Sequence, residues 1–160
     1  MSKSKFVRFG NEGFWAYDVA LGVFLKHLID AAESNEQIVT PWLSQAVSSW
    51  RVTACIQDLG ESLQEDWSAS QRLAFVAMAE QACAILASRK SIPAHEIISW
   101  PILEDERIFP RGATEVLTAP VVELGQAMIA LVCGQLTPAP EGHVWLYGTP
   151  EGRQTLRWER

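Results

Sequence analysis

Cysteine is scarce in this sequence, and its three copies are widely spaced. Cys55, Cys83 and Cys133 are odd in number and form no Cys-x-x-Cys pair. A disulfide framework needs paired cysteines and a zinc knuckle needs closely spaced ligands, so the sequence predicts neither. We therefore expect free thiols in a reducing compartment and a core that forms without covalent cross-links.

Complete catalytic and cofactor motifs are also missing. The sequence has no phosphate-binding P-loop, no GxGxxG dinucleotide motif and no GxSxG nucleophile motif. His95-Glu96 begins like the zinc-protease motif HExxH, but Ser99 stands where the second histidine ligand belongs. An enzyme would instead have to bring His27, Asp30 and a cysteine together in space. We predict no catalytic residues, no metal and no cofactor, and favour a protein that is not an enzyme.

Long apolar runs are absent as well. The most apolar stretch, residues 14–29, is interrupted by Asp18, Lys26 and His27 and is too short to cross a bilayer. The first residues are not followed by an apolar segment of the kind found in secretory leader peptides. The sequence therefore predicts a cytoplasmic protein with no membrane partner.

Positive charge is in deficit, because 13 lysines and arginines face 19 aspartates and glutamates, for a net charge of −6. General nucleic-acid binding needs a basic surface, so we expect no nucleic-acid partner. The negative charge is concentrated between Asp30 and Glu106, where twelve acidic residues outnumber four basic ones. An acidic surface of this kind attracts basic partners through long-range electrostatics.

Helical periodicity is the most abundant pattern that the sequence does contain. Apolar residues recur every three or four positions in several segments, which is typical of amphipathic helices packed on a core. Thr40-Pro41 is a favourable helix start, and Ser68 with Gln71 matches a capping box. We predict about five helices, over residues 14–33, 40–58, 68–89, 93–100 and 120–136.

Strand patterns are confined to the two ends of the sequence. Residues 143–159 contain two runs of aromatic, β-branched and apolar residues separated by a Gly/Pro-rich loop, which predicts a β-hairpin. Residues 5–9 are a further candidate strand. We predict one domain (1–160) of the mainly α class, a compact bundle of about five helices with a helical body over 14–136 and a C-terminal β-hairpin. The alternative is an α+β domain with a small three-stranded antiparallel sheet that includes residues 5–9.

The function that these features favour is binding of a protein partner without catalysis. Small acidic domains that lack catalytic motifs are similar in size and charge to bacterial immunity proteins, which neutralise toxins by binding them. The acidic run between the second and third predicted helices is next to an aromatic anchor, and such a patch suits a basic partner. The predicted partner-binding residues are Asp58, Glu61, Glu65, Asp66 and Trp67. A homodimer through an exposed face of the hairpin is left open.

A small-molecule sensor is the alternative function. It would hold an anion with Arg107 or Arg111, in the long segment before the fifth helix, because guanidinium groups suit carboxylates and phosphates. Its pocket would be lined by tryptophan, and among the seven tryptophans of the chain the candidates are Trp145 and Trp158. Most of the other tryptophans are expected to fill the core.

Overall fold

The computed structural model describes residues 3–34, 40–56 and 60–158, and among them the chain forms five helices and seven strands. The helices are α1 (Asp18–Glu33), α2 (Pro41–Cys55), α3 (Ala69–Ala87), α4 (Ala94–Ser99) and α5 (Thr118–Val132). The strands are β1 (Ser4–Phe9), β2 (Glu12–Tyr17), β3 (Glu61–Leu63), β4 (Ser91–Pro93), β5 (Glu115–Leu117), β6 (His143–Tyr147) and β7 (Gln154–Arg157). The protein is α+β, and the prediction of a mainly α bundle is wrong.

Most of the strands belong to one mixed sheet, which we call the large sheet. Within the described residues its strand order is β3-β1-β2-β6-β7. β1 with β2 and β6 with β7 are antiparallel hairpins, while β2 pairs with β6 in parallel and β3 pairs with β1 in parallel. The predicted C-terminal hairpin and the predicted strand at residues 5–9 both form, but β2 lies between them. The alternative prediction, a three-stranded antiparallel sheet, is therefore also wrong, because the described sheet has five strands and includes parallel pairs.

The predicted first helix is too long at its beginning, because residues 14–17 belong to β2. Phe14 and Ala16 are buried, whereas Trp15 and Tyr17 are only partly buried, which is the alternation of a strand. Phe14, Tyr17 and Leu21 also fit helical spacing, so periodicity alone does not distinguish the two structures at this point.

Two of the local signals for helix starts are confirmed, Pro41 and the Ser68–Gln71 capping box. α2 begins at Pro41, and the capping box forms at the start of α3. The hydroxyl oxygen of Ser68 accepts a hydrogen bond from the backbone N–H of Gln71 at 3.2 Å, and the Gln71 side-chain oxygen accepts one from the Ser68 N–H at 2.8 Å. α5 begins at Thr118, just before the predicted Pro120.

The segment between α4 and α5 has no helical periodicity, and it contributes one strand of a second, smaller sheet. β5 pairs there with β4 in antiparallel register, through contacts such as Ile92 with Val116. Both strands are three residues long, which is too short for an alternating pattern to stand out in the sequence.

The core lies between the helices and one face of the large sheet. α1 is central, since it contacts α2, α3, α5 and β2. α5 approaches α1 and α3 closely at Gly125, where an added Cβ would lie 2.5 Å from Cε2 of Phe24 and 2.7 Å from Sγ of Cys83. In the described part of the chain, no helix combines the length and the apolar character needed to cross a membrane. The helices thus bury one face of the sheet and leave the opposite face open.

Candidate functional site

The face of the large sheet that points away from the helices is unusually apolar, and we call it the outer face. Strand register places Phe6 opposite Trp15 on β1 and β2, Trp15 opposite Leu146 on β6, and Val144 opposite Leu156 on β7. Directly paired residues project on the same side of a sheet. Phe6, Trp15 and Leu146 therefore form one row, which ends at the polar Gln154 on β7, and Val144 with Leu156 forms the next row of the same face. The apolar side chains of both rows are partly buried, in contrast to their fully buried neighbours Val7, Phe14 and Ala16 on the inner face.

Aromatic rings dominate the centre of the outer face. The Phe6 and Trp15 rings meet edge to face, with their centroids 5.2 Å apart. Trp158, which follows β7, leans towards Phe6 with a centroid separation of 6.3 Å and remains 47% exposed. An exposed tryptophan beside an apolar row is a common composition for the centre of a protein–protein interface.

An open groove of about 430 Å³ borders the outer face. Its lining includes Phe6, Val144 and Trp158 together with Trp145 and Pro138. The Trp145 indole N–H donates to the Thr137 carbonyl oxygen at 2.7 Å, and the Arg153 guanidinium lies 4.0 Å from the centre of the Trp145 ring. Trp145 is therefore held in place, while Trp158 is free to contact a partner.

The two tryptophans proposed for a ligand pocket thus meet at one groove, but the two arginines proposed with them lie elsewhere. Arg107 donates hydrogen bonds to the carbonyl oxygens of Glu104 and Glu106 within its own loop. Arg111 binds Asp18 at the start of α1, with Nε and Nη2 each 2.7 Å from one carboxylate oxygen. The anion-binding group expected from the sequence is therefore not assembled.

The acidic run proposed for partner binding is divided by the fold. Asp58 lies outside the described residues. Glu61 is 2% exposed, and its carboxylate accepts hydrogen bonds from the hydroxyl groups of Thr53 at 2.7 Å and Ser49 at 3.1 Å. Burial raises the pKa of the Glu61 carboxyl, and the hydrogen bonds from Thr53 and Ser49 and the nearby Lys5 charge oppose that rise. Glu61 is a buried structural group in this conformation.

Trp67 is also buried, at 5% exposure, because β3 and the start of α3 turn it towards the core. Its ring packs against those of Phe75 at 5.4 Å and Trp42 at 5.6 Å. Glu65 and Asp66 remain exposed, and they line a shallow depression that also includes Arg8. The exposed acids therefore lie near a cation of the same surface, and its charge weakens their electrostatic attraction for a basic partner.

The histidine and the carboxylate proposed for an enzyme are each bonded to another group. His27 is buried, and its Nδ1 donates to the Val23 carbonyl oxygen at 2.8 Å, while Asp30 pairs with Lys26 at 2.5 Å. Burial lowers the pKa of His27, so the neutral ring is favoured. Glu96, next to His95, accepts two hydrogen bonds from Arg89, at 2.6 and 2.9 Å. These groups are each paired with a structural partner.

The cysteines occupy three different environments. Burial raises the pKa of the Cys83 thiol to about 11, with a smaller contribution from Glu80. Burial also raises the pKa of Cys55, and Cys133 is exposed at the end of α5. Within residues 3–34, 40–56 and 60–158, no three histidine, cysteine, aspartate or glutamate side chains come close enough to hold a metal ion. The buried thiols are poor nucleophiles at neutral pH.

A second, more apolar groove of about 700 Å³ lies between the start of α3 and the end of α5. Leu73 and Val76 of α3 line it together with Leu131 of α5. Leu73 is 71% exposed and lies on a helix rather than on the outer face. It provides a matched apolar position for testing the specificity of the outer face.

Sequence analysis identified Trp158 but missed Phe6, Trp15, Leu146 and Leu156 as members of one surface. The aromatic and β-branched residues Phe6, Val7 and Phe9 were a usable signal for the first strand. The rest depended on the parallel pairing of β2 with β6, which joins residues from opposite ends of the chain. Comparison of the chain with models of protein families, with curated proteins and with solved structures finds no match.

Proposed function

We propose that this protein binds another protein and that the outer face of the large sheet is its binding surface. The observation that carries the proposal is the exposed Trp158 beside the partly buried apolar side chains of the same face, Phe6, Trp15, Leu146 and Leu156. Tryptophan is enriched among the residues that dominate binding energy, and such residues cluster in apolar interface centres. Toxin neutralisation, the role suggested by size and charge, is one form of such binding.

The charges around the outer face define the chemistry of the partner. Arg8 is on the same face of β1, while Arg157, at the exposed end of β7, projects from the other side of the sheet edge. An apolar centre with an arginine on its face and another at the adjoining strand edge favours a partner whose apolar patch is bordered by acidic residues. The basic partner expected from the acidic run is less favoured, since Glu61 and Trp67 are buried.

Affinity capture with matched baits tests the proposal. Wild-type protein, Trp158→Ser and the control Leu73→Ser are tagged, exposed to an extract of the cells that produce the protein, and analysed by mass spectrometry. A protein retained in stoichiometric amount by the wild type is then purified, and its affinity for each bait is measured by calorimetry.

We expect Leu73→Ser to retain that protein and Trp158→Ser to weaken its binding by about 30-fold, as for a hot-spot tryptophan. Circular dichroism of both variants checks that they are folded. Equal binding by wild type and Trp158→Ser, or the absence of any stoichiometric protein, would refute the outer face as the binding surface.

A small aromatic ligand in the groove between Trp145 and Trp158 is the second candidate. The supporting observation is the size of the groove, about 430 Å³, which falls in the range of small-molecule sites. A panel of aromatic metabolites that quenches tryptophan fluorescence in the wild type and not in Trp158→Ser would favour it over a protein partner.

A further inference from the structure

β7 is an edge strand whose backbone is open to solvent. It ends the strand order of the large sheet, so in the described chain it pairs only with β6. Gln154, Thr155 and Arg157 are exposed, and so is Trp158 just beyond the strand. Edge strands of this kind accept a further strand unless they are covered or interrupted.

The hydrogen bonding of Trp158 shows which backbone groups of β7 point outwards. Its N–H donates to the Gly142 carbonyl oxygen at 2.8 Å, and Gly142 directly precedes β6. The backbone N–H and C=O groups alternate in direction along an antiparallel strand, so those of Leu156 and Gln154 also point towards β6. Thr155 and Arg157 therefore direct their N–H and C=O groups to the open edge.

The side chains of β7 divide between the two faces in the same alternating way. Leu156 belongs to the outer face and Trp158 leans over it towards Phe6. Thr155 and Arg157 project on the opposite side. A strand added at this edge would continue the apolar row on the outer face and would place its alternate residues beside Arg157.

We infer that the partner adds an extended segment to the edge of β7, with apolar side chains on the outer face and acidic side chains beside Arg157. This inference rests on the proposed function, because it assigns the partner of the same outer face. Four backbone hydrogen bonds are available, from the N–H and C=O groups of Thr155 and Arg157, and strand addition uses such groups for affinity.

Charge favours such a partner over a second copy of this chain. β7 and the loop before it carry Arg153 and Arg157, with Glu151 as the acid of the same segment. Two antiparallel copies of β7 would bring these arginines together across the new pair, and like charges on adjoining strands destabilise pairing. An acidic segment meets the same cations favourably. The opposite edge strand, β3, is shorter and contains the buried Glu61.

The test uses a defined probe, a phage-displayed library of random peptides of about ten residues selected against the wild-type protein. We expect enriched sequences in which apolar and acidic residues alternate. The most enriched peptide is synthesised, and its affinity is measured for wild type, Thr155→Pro, Thr155→Ala and Trp158→Ser.

Thr155→Pro and Thr155→Ala lose the same side chain, but only proline lacks the outward N–H and obstructs the edge. We expect Thr155→Pro to bind at least about tenfold more weakly than Thr155→Ala. Hydrogen exchange of the wild type gives an independent readout, because the amides of Thr155 and Arg157 should exchange freely alone and be protected with the peptide.

The outcomes separate this inference from the proposed function. Binding that is lost in Trp158→Ser but equal in the two Thr155 variants would support the outer face as the binding surface and refute edge addition. Binding that is lost in Thr155→Pro alone would retain the edge and refute the outer face. A library that enriches no peptide, or a free protein that is a dimer with both amides protected, would overturn the inference.

Discussion

Glu61 is a buried acid, and it makes folding sensitive to pH. Burial raises its pKa above the ordinary value of 4.5, so the folded protein holds this proton more tightly than the unfolded chain does. The contribution of this group to stability is therefore full below pH 4.5 and is lost as the pH rises through the folded pKa. Most paired surface carboxylates have the opposite effect.

We expect Glu61→Gln to remove this component of the pH dependence, because an amide has no proton to lose. The free energy of unfolding of the wild type minus that of Glu61→Gln should fall as the pH rises from about 4 to about 8. Denaturant unfolding at several pH values measures the difference. Glu65→Gln, at an exposed position nearby, controls for the loss of one charge. If both variants gave the same pH course, Glu61 would not have the role assigned to it.

Exposure of single side chains was the least predictable property of the candidate site. Glu61 and Glu65 are acids of the same segment, yet only Glu65 reaches solvent. Trp67 and Trp158 are both next to charged residues in the sequence, yet Trp67 is 5% exposed and Trp158 is 47% exposed. Residue type gives the chemistry that is available, whereas burial depends on tertiary contacts that no local pattern records.

Helices were easier to predict than strands because their signals are local. The Ser68–Gln71 capping box and the Pro41 start involve residues within one turn, and both are found in the structure. β2 gains its stability from β1 and from the distant β6, so its own residues carry a pattern that also fits a helix. The predicted fold class was wrong for this reason, although β1, β6 and β7 were recognised from the sequence.

Gly125 lies where α5 packs closely against α1 and α3, and its substitution tests that packing. Glycine to alanine in a helix ordinarily stabilises by about 1 kcal/mol. Here the added methyl would lie 2.5 Å from Phe24, so we expect Gly125→Ala to destabilise the protein by about 1–3 kcal/mol. Thermal or denaturant unfolding measures the change.

The neighbouring thiol offers a control for this prediction. Cys83→Ala removes the sulfur that would lie 2.7 Å from the new methyl group. The double variant Gly125→Ala with Cys83→Ala should therefore lose less stability than the sum of the two single variants. Gly125→Ala as stable as the wild type would show that the helices can separate without cost.

Across the whole molecule, Arg111 connects the long segment after α4 to the first turn of α1. The side chains of Arg111 and Asp18 are 9% and 11% exposed, so their ion pair is largely shielded from water. Removing one member of such a pair leaves the other charge buried without its partner. We therefore expect this ion pair to contribute more to the stability of the fold than an ordinary surface ion pair does.

We expect Arg111→Ala to lower the free energy of unfolding by about 3–5 kcal/mol. Arg107→Ala, in the same segment, is the matched control and should change stability by no more than about 0.5 kcal/mol, because the hydrogen bonds of Arg107 within the described residues go to carbonyl groups of its own loop. Chemical denaturation of both variants makes the comparison. Similar losses of stability in the two variants would mean that the Arg111–Asp18 pair does not hold the segment against α1.

The parallel pairing of β2 with β6 has a consequence for how a newly made chain matures. Trp15 and Leu146 are neighbours in the sheet but are separated by all five helices in the chain. Until β6 is synthesised, β2 of the amino-terminal hairpin has an unpaired edge beside Trp15. Unpaired strand edges promote aggregation. Chaperone protection during translation would matter most for this hairpin, which is made well before the strand that completes its pairing.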